Sequence, residues 1–360
     1  MQIIQHFLQY FKQFIWCYMQ KEWNRIRIWK WKKNCSGACW KLKKGYGKRT
    51  VLGCVGNKER IWEKDYSGTC WKEERKVKHM EGITMKKYHG LGNDYLVLDP
   101  NKNDFALQTR NIEMLCRRNF GVGADGLLYG PLLEDGKMKV RIFNPDGSEA
   151  EKSGNGVRIF AKYLLDEGYV KGGACTICTL AGDVEAEFVK KDGSVVRANM
   201  GKPVYAGKEL PLAGLGGEIV NEHLKFHGND YNTTCLSVGN PNCVIMMEEV
   251  TPKKARELGP YVEGAAYFPG RTNMSICKVI DRGNIAIEIY ERGAGYTLAS
   301  GTGACAAAAA AKRMGLVDGN VTVHMQGGDL AIEIQEDGTI YMTGSVGTVG
   351  TFTLAENFFA

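Results

Sequence analysis

The chain divides by what each part lacks. Residues 85–360 hold no tryptophan; all seven lie in residues 1–84, which hold no proline and a single alanine, Ala38. So abrupt a change marks a boundary near Met85. No apolar run is long enough to cross a membrane. The most apolar stretch, near the N-terminus, is broken by Gln, His and Lys, which also denies it the form of a secretory signal. The net charge of +7 suggests a basic protein, yet the surplus is local. Residues 1–84 carry 19 Lys+Arg against 7 Asp+Glu (+12), and residues 85–360 carry 28 against 33 (−5). The main body therefore lacks the basic face that nucleic acid requires. No Gly-Lys-Ser/Thr follows the glycine-rich stretch 119–128, so it is not a phosphate loop. Cys35 and Cys39 have no second ligand pair for zinc. Cys175 and Cys178 sit in a strand-like run and read as buried thiols. The other cysteines are scattered, as in a reducing compartment.

In residues 1–84, Ile3, Ile4, Phe7, Leu8, Phe11, Phe14, Ile15 and Tyr18 fall at helical spacing that would suit a membrane surface. The simpler expectation is that 1–84 is a basic, Trp-rich extension, disordered or translated from upstream, with the protein starting at Met80 or Met85.

What the body does have is a ten-residue frame used twice. One copy runs from Asn144 to Ser153 and continues Gly154-Asn155-Gly156; the other runs from Glu291 to Ser300 and continues Gly301-Thr302-Gly303. Each follows a strand-like run (KMKVRIF, NIAIEIY) and opens a helix-like one. Such a pair predicts an internal duplication in which two helix N-termini face a shared cleft. The first turn of a helix has unpaired N–H groups and the positive end of the dipole, hence an affinity for anions. Two opposed ends would hold one carboxylate and stabilise charge developing on the adjacent carbon, with Ser153 and Ser300 on either side of it. Read alone, either serine would be an ordinary N-cap.

From Met85 onward, strands are expected at 95–99, 137–144, 271–280 and 285–293, with a hairpin about Lys191-Asp192-Gly193. The segment 233–247 reads as a strand broken at Gly239–Asn242, and helices are expected at 111–118, 252–259 and 304–311. The pattern does not alternate as a doubly wound sheet would. It predicts an α+β fold of two pseudo-symmetric lobes, each a barrel-like sheet around a central helix. The lobes are expected at 85–200 and 201–345, with the tail 346–360 returning to the first.

GLGND (90–94), FGVGADG (120–126), FNPDGSEAEKSGNG (143–156), GNP (239–241), RTN (271–273), ERGAG (291–295) and SGTGAC (300–305) together resemble the diaminopimelate epimerase family, over 85–360 and not over 1–84. The resemblance implies a cofactor-independent, two-base epimerase of proline-racemase-like fold that converts LL-diaminopimelate to the meso form in the bacterial cytosol, for lysine and cell-wall synthesis. No pyridoxal phosphate or metal is implied. The partner is a small amino acid rather than nucleic acid or membrane, and a homodimer is compatible with the family. The substrate α-carboxylate would lie between Gly154-Asn155 and Gly301-Thr302. The far end would be read by Asn93, Asn144, Asn240, Asn273, Glu291 and Arg292. The family's two catalytic cysteines correspond to Ser153 and Ser300, its GNPH histidine to Asn242, and the glutamine of its FGVG loop to Gly126.

A serine hydroxyl is more basic than a thiol by roughly five pKa units, so forming alkoxide costs about 7 kcal/mol more than forming thiolate. Helix dipoles offset about 1–2 kcal/mol of that. A serine pair therefore needs a neighbouring base, and Glu149, Glu151, Lys152 and Glu291 are the candidates in sequence. Cys305, one and a half turns into its helix, is expected in the core. Besides epimerisation, the serines keep open an altered racemase or dehydratase on another amino acid, and a non-catalytic amino-acid-binding protein.

Overall fold

The computed structural model describes residues 82–359, apart from 135 and 209, and four strands before them. Those strands, β1 (Trp40–Gly45), β2 (Lys48–Val55), β3 (Lys58–Lys64) and β4 (Cys70–Glu73), form an antiparallel meander within a compact unit, Met1–Met80. The helical spacing at residues 3–19 lies outside the described residues.

The second unit, Glu81–Ala360, is built on strands. Its first half contains β5 (Thr84–Gly90), β6 (Asn93–Leu98), α1 (Thr109–Cys116), β7 (Gly126–Glu134), β8 (Lys137–Phe143), β9 (Glu149–Ala150), α2 (Gly154–Asp166), β10 (Ala174–Thr179), β11 (Gly182–Phe188) and β12 (Val195–Gly201). The second contains β13 (Glu222–Phe226), β14 (Asn229–Ser237), β15 (Pro241–Met246), α3 (Pro252–Glu263), β16 (Asn273–Asp281), β17 (Asn284–Glu291), β18 (Gly295–Thr297), α4 (Gly301–Arg313), β19 (Asn320–Met325), β20 (Gly328–Ile334) and β21 (Ile340–Ser345). A last strand, β22 (Gly347–Thr353), pairs with β5.

Hydrogen bonding runs β22-β5-β6-β7-β8-β10-β11-β12 in one lobe and β13-β14-β15-β16-β17-β19-β20-β21 in the other. Along both runs the senses are antiparallel, antiparallel, parallel, antiparallel, parallel, antiparallel, antiparallel. The lobes join where β12 pairs antiparallel with β21. A parallel pair needs a long crossover, and the helices supply it. The first crossover of each lobe contains α1 or α3, the second α2 or α4. The duplication suggested by the two frames thus extends to every element, and the fold is the α+β pair of pseudo-symmetric lobes expected.

The helices α2 and α4 are the axes of the lobes. In α4 every residue from Gly301 to Ala311 is buried, and in α2 every residue from Gly154 to Ala161. A helix apolar all round belongs inside, and the alanines of α4 let strands approach on every side. Both helices contribute to one continuous core.

Two elements depart from the sequence expectation. Strand β7 was hidden by Gly126, Gly130 and Pro131; its pairing with β8 shifts register between Tyr129 and Leu132, where a proline is tolerated. Helix α3 runs past Gly259-Pro260 to Glu263, with Gly259 pressed against the Tyr290 ring so that a Cβ would collide with it.

Candidate functional site

Each central helix begins with the serine of a frame in extended conformation. The Ser153 hydroxyl accepts from Gly156 N (3.0 Å) and the Ser300 hydroxyl from Gly303 N (3.1 Å). Backbone bonding resumes with Val157 N to Ser153 O and Ala304 N to Ser300 O. The N–H groups of Gly154, Asn155, Gly301 and Thr302 are therefore left without an acceptor among the described residues, as the first two of any helix are unless something else supplies one. The two ends touch. A Cβ on Gly154 would lie 2.8 Å from Gly301 Cα, and one on Gly301 2.7 Å from Gly154 Cα. Only glycine fits at both positions.

Reciprocal bonds hold this meeting point across the lobes. Asn240 Nδ2 donates to Lys152 O, just before Ser153 (3.1 Å), while Asn155 Nδ2 donates to Ala299 O, just before Ser300 (3.0 Å). Asn155 Nδ2 also reaches Asn93 Oδ1 (3.0 Å), and Asn240 Nδ2 reaches Thr302 Oγ1 (3.3 Å), equivalent contacts in the two lobes.

Beside the helix ends is a cleft of about 30 Å³ lined by Tyr95, Asp125, Asn144, Ala150, Lys152, Ser153, Asn240, Asn273, Glu291, Arg292, Ala294 and Thr302. The structure thus brings together Asn144, Lys152, Ser153, Asn240, Asn273, Glu291, Arg292 and Thr302 of the residues named from sequence. Ser300 is buried next to Thr302, at 3.5 Å between their hydroxyls. Asn93 does not line the cleft: its carboxamide is taken up by Asn155 and by Asp125 (3.1 Å). Asn273 Oδ1 accepts from Arg292 N (2.9 Å), and the Arg292 guanidinium pairs with Glu151 of the other lobe.

Of the four candidate bases, three are engaged elsewhere. Glu149 takes two bonds from Arg141 (2.9 and 2.7 Å), Glu151 pairs with Arg292, and the buried Lys152 ammonium donates to Met200 O (2.8 Å). Glu291 remains. Burial pushes its pKa up to about 7, with the Ser300 and Thr297 hydroxyls opposing the rise and Asp125 adding to it. Thr297 Oγ1 donates to it at 2.9 Å. On the other side Ser153 has a phenol as neighbour, with Tyr95 Oη 3.1 Å from its Oγ. Burial, and then the charge of Glu291, push the Tyr95 pKa up, so the phenol keeps its proton.

Tyr95 and Asp125 were given no role from sequence. Asp125 accepts from Asn93 Nδ2, from Asp94 N (3.2 Å) and from Arg118 (2.6 Å). Burial and the adjacent Asp94 raise its pKa. The available signal was the acid of GADG, set directly before strand β7. Cys305 is wholly buried, and burial pushes its pKa up to about 12.

The family model for diaminopimelate epimerase matches residues 85–206 and 234–349. Diaminopimelate epimerase 2 of Nostoc sp. (strain PCC 7120) is 46% identical over 275 residues, covering 76% of this chain and 96% of that protein. The diaminopimelate epimerase of Moorella thermoacetica is 40% identical over 262 residues, covering 72% and 94%. This chain belongs to the diaminopimelate epimerase family. Its fold is shared more widely. A hydroxyproline epimerase from Agrobacterium vitis, 14% identical, superposes with a TM-score of 0.57 over 78% of this chain and 93% of that one.

Gly126 pairs with Tyr95 across β6 and β7, and a Cβ there would meet the Tyr95 ring at 2.5 Å and Phe143 O at 2.6 Å. A glutamine at 126 is incompatible with this tyrosine as placed. Asn242 is buried and gives both its amide hydrogens to Asn240, to O (2.8 Å) and Oδ1 (2.9 Å), so it offers no base to either serine.

Proposed function

We propose that this chain epimerises LL-2,6-diaminopimelate to meso-diaminopimelate without a cofactor, removing the α-proton from one face and delivering a proton to the other. The observation that carries the reading is the meeting of two serine-capped helix N-termini, with four unpaired N–H groups, beside a cleft lined by both lobes. Those N–H groups, of Gly154, Asn155, Gly301 and Thr302, would take the α-carboxylate. Two positive helix ends would also stabilise the charge that spreads onto it as the proton leaves.

Ser153 and Ser300 occupy the positions where the resemblance places the family's cysteines, and the protonation of their neighbours sets the direction of proton flow. With Glu291 ionised, Ser300 Oγ accepts the α-proton as its own proton passes to the Glu291 carboxylate, so no free alkoxide forms. Ser153 gives its proton to the opposite face while the Tyr95 phenol, keeping its own proton, hydrogen-bonds to the oxygen left behind; solvent returns the proton to Ser153 as product leaves. Asn144, Asn240, Asn273 and Arg292 face the distal amino acid end, and Asn93 braces the helix ends. Arg292 would exchange Glu151 for the distal carboxylate.

The reading makes the chain an isomerase of amino-acid biosynthesis acting in the cytoplasm, with a homodimer as its assembly. It divides the body into lobes 85–200 and 201–345, with 346–360 returning to the first; the pairing of β22 with β5 supports the last point. The test is α-proton exchange in heavy water with LL- and meso-diaminopimelate, followed by NMR. Exchange with inversion is expected. Saturable binding without exchange would overturn the catalytic reading in favour of a binding protein.

A further inference from the structure

Arg158 is wholly buried in the second turn of α2. Its Nη1 donates to Gly154 O (3.3 Å) and lies 3.0 Å from Met342 Sδ. Its Nη2 donates to Asn155 Oδ1 (2.7 Å), and its Nε finds no acceptor. No carboxylate pairs with it among the described residues. The ionisable group that it feels is the Cys305 thiol, which burial keeps protonated. Room is made for it by two glycines: a Cβ on Gly90 would come 3.1 Å from Nη2, and one on Gly344 3.1 Å from Nε.

This is a costly arrangement twice over. A buried guanidinium without a counter-ion loses its hydration and gains no Coulomb partner, and it stays charged at neutral pH. A helical side chain also leans toward its own N-terminus, and the bonds to Gly154 and Asn155 hold the charge against the first turn. A helix N-terminus is positive and ordinarily disfavours a cation. Two like charges concentrated at one buried point persist only where something else offsets them, and an anion at the shared helix ends would do so.

We propose that Arg158 is the resident counter-charge of the substrate α-carboxylate, acting through the first turn of α2. The proposal rests on the carboxylate reading of the helix ends. Arg158 touches no substrate, so it is a positioning residue. It aligns Asn155, whose amide also holds Ala299 O next to Ser300, and its field deepens the site for an anion. It further implies that the ligand-free protein carries electrostatic stress that the substrate relieves.

The test uses the full chain and its Arg158→Met, Arg158→Gln and Arg158→Lys variants. Calorimetric affinity is measured for LL-diaminopimelate and for its diamide, which keeps the ammonium groups and lacks the carboxylates. In wild type the diacid is expected to bind more tightly than the diamide. That preference is expected to shrink roughly 100-fold in Arg158→Met and Arg158→Gln, the scale of one charge acting over a helical turn at an effective dielectric constant near 20. It is expected to be largely kept in Arg158→Lys. Ligand-free Arg158→Met is expected to melt no lower than wild type, because replacing a buried uncompensated charge with an apolar side chain relieves stress. A merely structural arginine would give the opposite pattern, with a lowered melting temperature and an unchanged preference. Unchanged preference in both neutral variants overturns this inference alone, whereas a wild type that binds neither ligand overturns the carboxylate reading beneath it.

Discussion

In the proposed mechanism, Glu291 and Ser300 tie the chemistry to pH in a way that the serines alone could not. The carboxylate acts as a base only when ionised, and burial has moved that event from 4.5 to about 7. The epimerisation rate is therefore expected to rise about tenfold per pH unit below 7 and to level off above it. Glu291→Gln should lower kcat by roughly 10²- to 10⁴-fold and abolish that acidic limb; a variant retaining the limb would assign it to another group. The same shift has a thermodynamic side. Between pH 4.5 and 7 the native protein keeps a proton that the unfolded chain has released, so stability falls as pH rises through that window. The full effect is about 3 kcal/mol at 1.36 kcal/mol per unit. Denaturant titrations across pH 4.5–8 should show the decline in wild type and a flatter profile in Glu291→Gln.

At the scale of the element, the decisive feature is the contact of α2 and α4 at their first residues. A methyl group on Gly301 would meet the Gly154 backbone at 2.7–2.9 Å, and backbone cannot rotate aside. Gly301→Ala is expected to force the helix ends apart and cost about 1–3 kcal/mol of stability, the range of overpacked sites. Its KM should rise steeply, because the N–H groups would no longer converge. A stable Gly301→Ala protein with ordinary KM would show that convergence is not what binds the carboxylate. These helices were legible in sequence because everything that specifies them is local: a polar cap, glycines, then apolar residues. Strand β7 was not, because its glycines and proline hide a strand that only pairing with β6 and β8 sustains. Tyr95 beside Ser153 is likewise a product of folding. The two are 58 residues apart, and no pattern within either segment mentions the other.

The unit Glu81–Ala360 is two copies of one lobe, and the proposed chemistry lies where the copies differ. Glu291 opens the second frame at the place where Asn144 opens the first, so only the second frame begins with a carboxylate. The sequence disclosed both positions; it could not disclose that Glu149 and Glu151 are occupied by arginines. The Glu151–Arg292 pair spans the lobes, with the Arg292 side chain 18% and that of Glu151 38% exposed. In the proposed reading, it occupies the cation that would take the distal carboxylate. On that reading, substrate would displace it, and part of the binding energy would go into breaking this pair. Exposed ion pairs contribute about 0–1 kcal/mol, which bounds the effect. Glu151→Gln is expected to lower KM for LL-diaminopimelate by up to about fivefold with kcat nearly unchanged, since Glu151 touches neither serine. Arg292→Gln should raise KM instead, because it removes the partner that substrate needs. Steady-state kinetics of the two variants separate the cases. A raised KM in both would mean that Glu151 holds Arg292 in place for the substrate rather than competing with it.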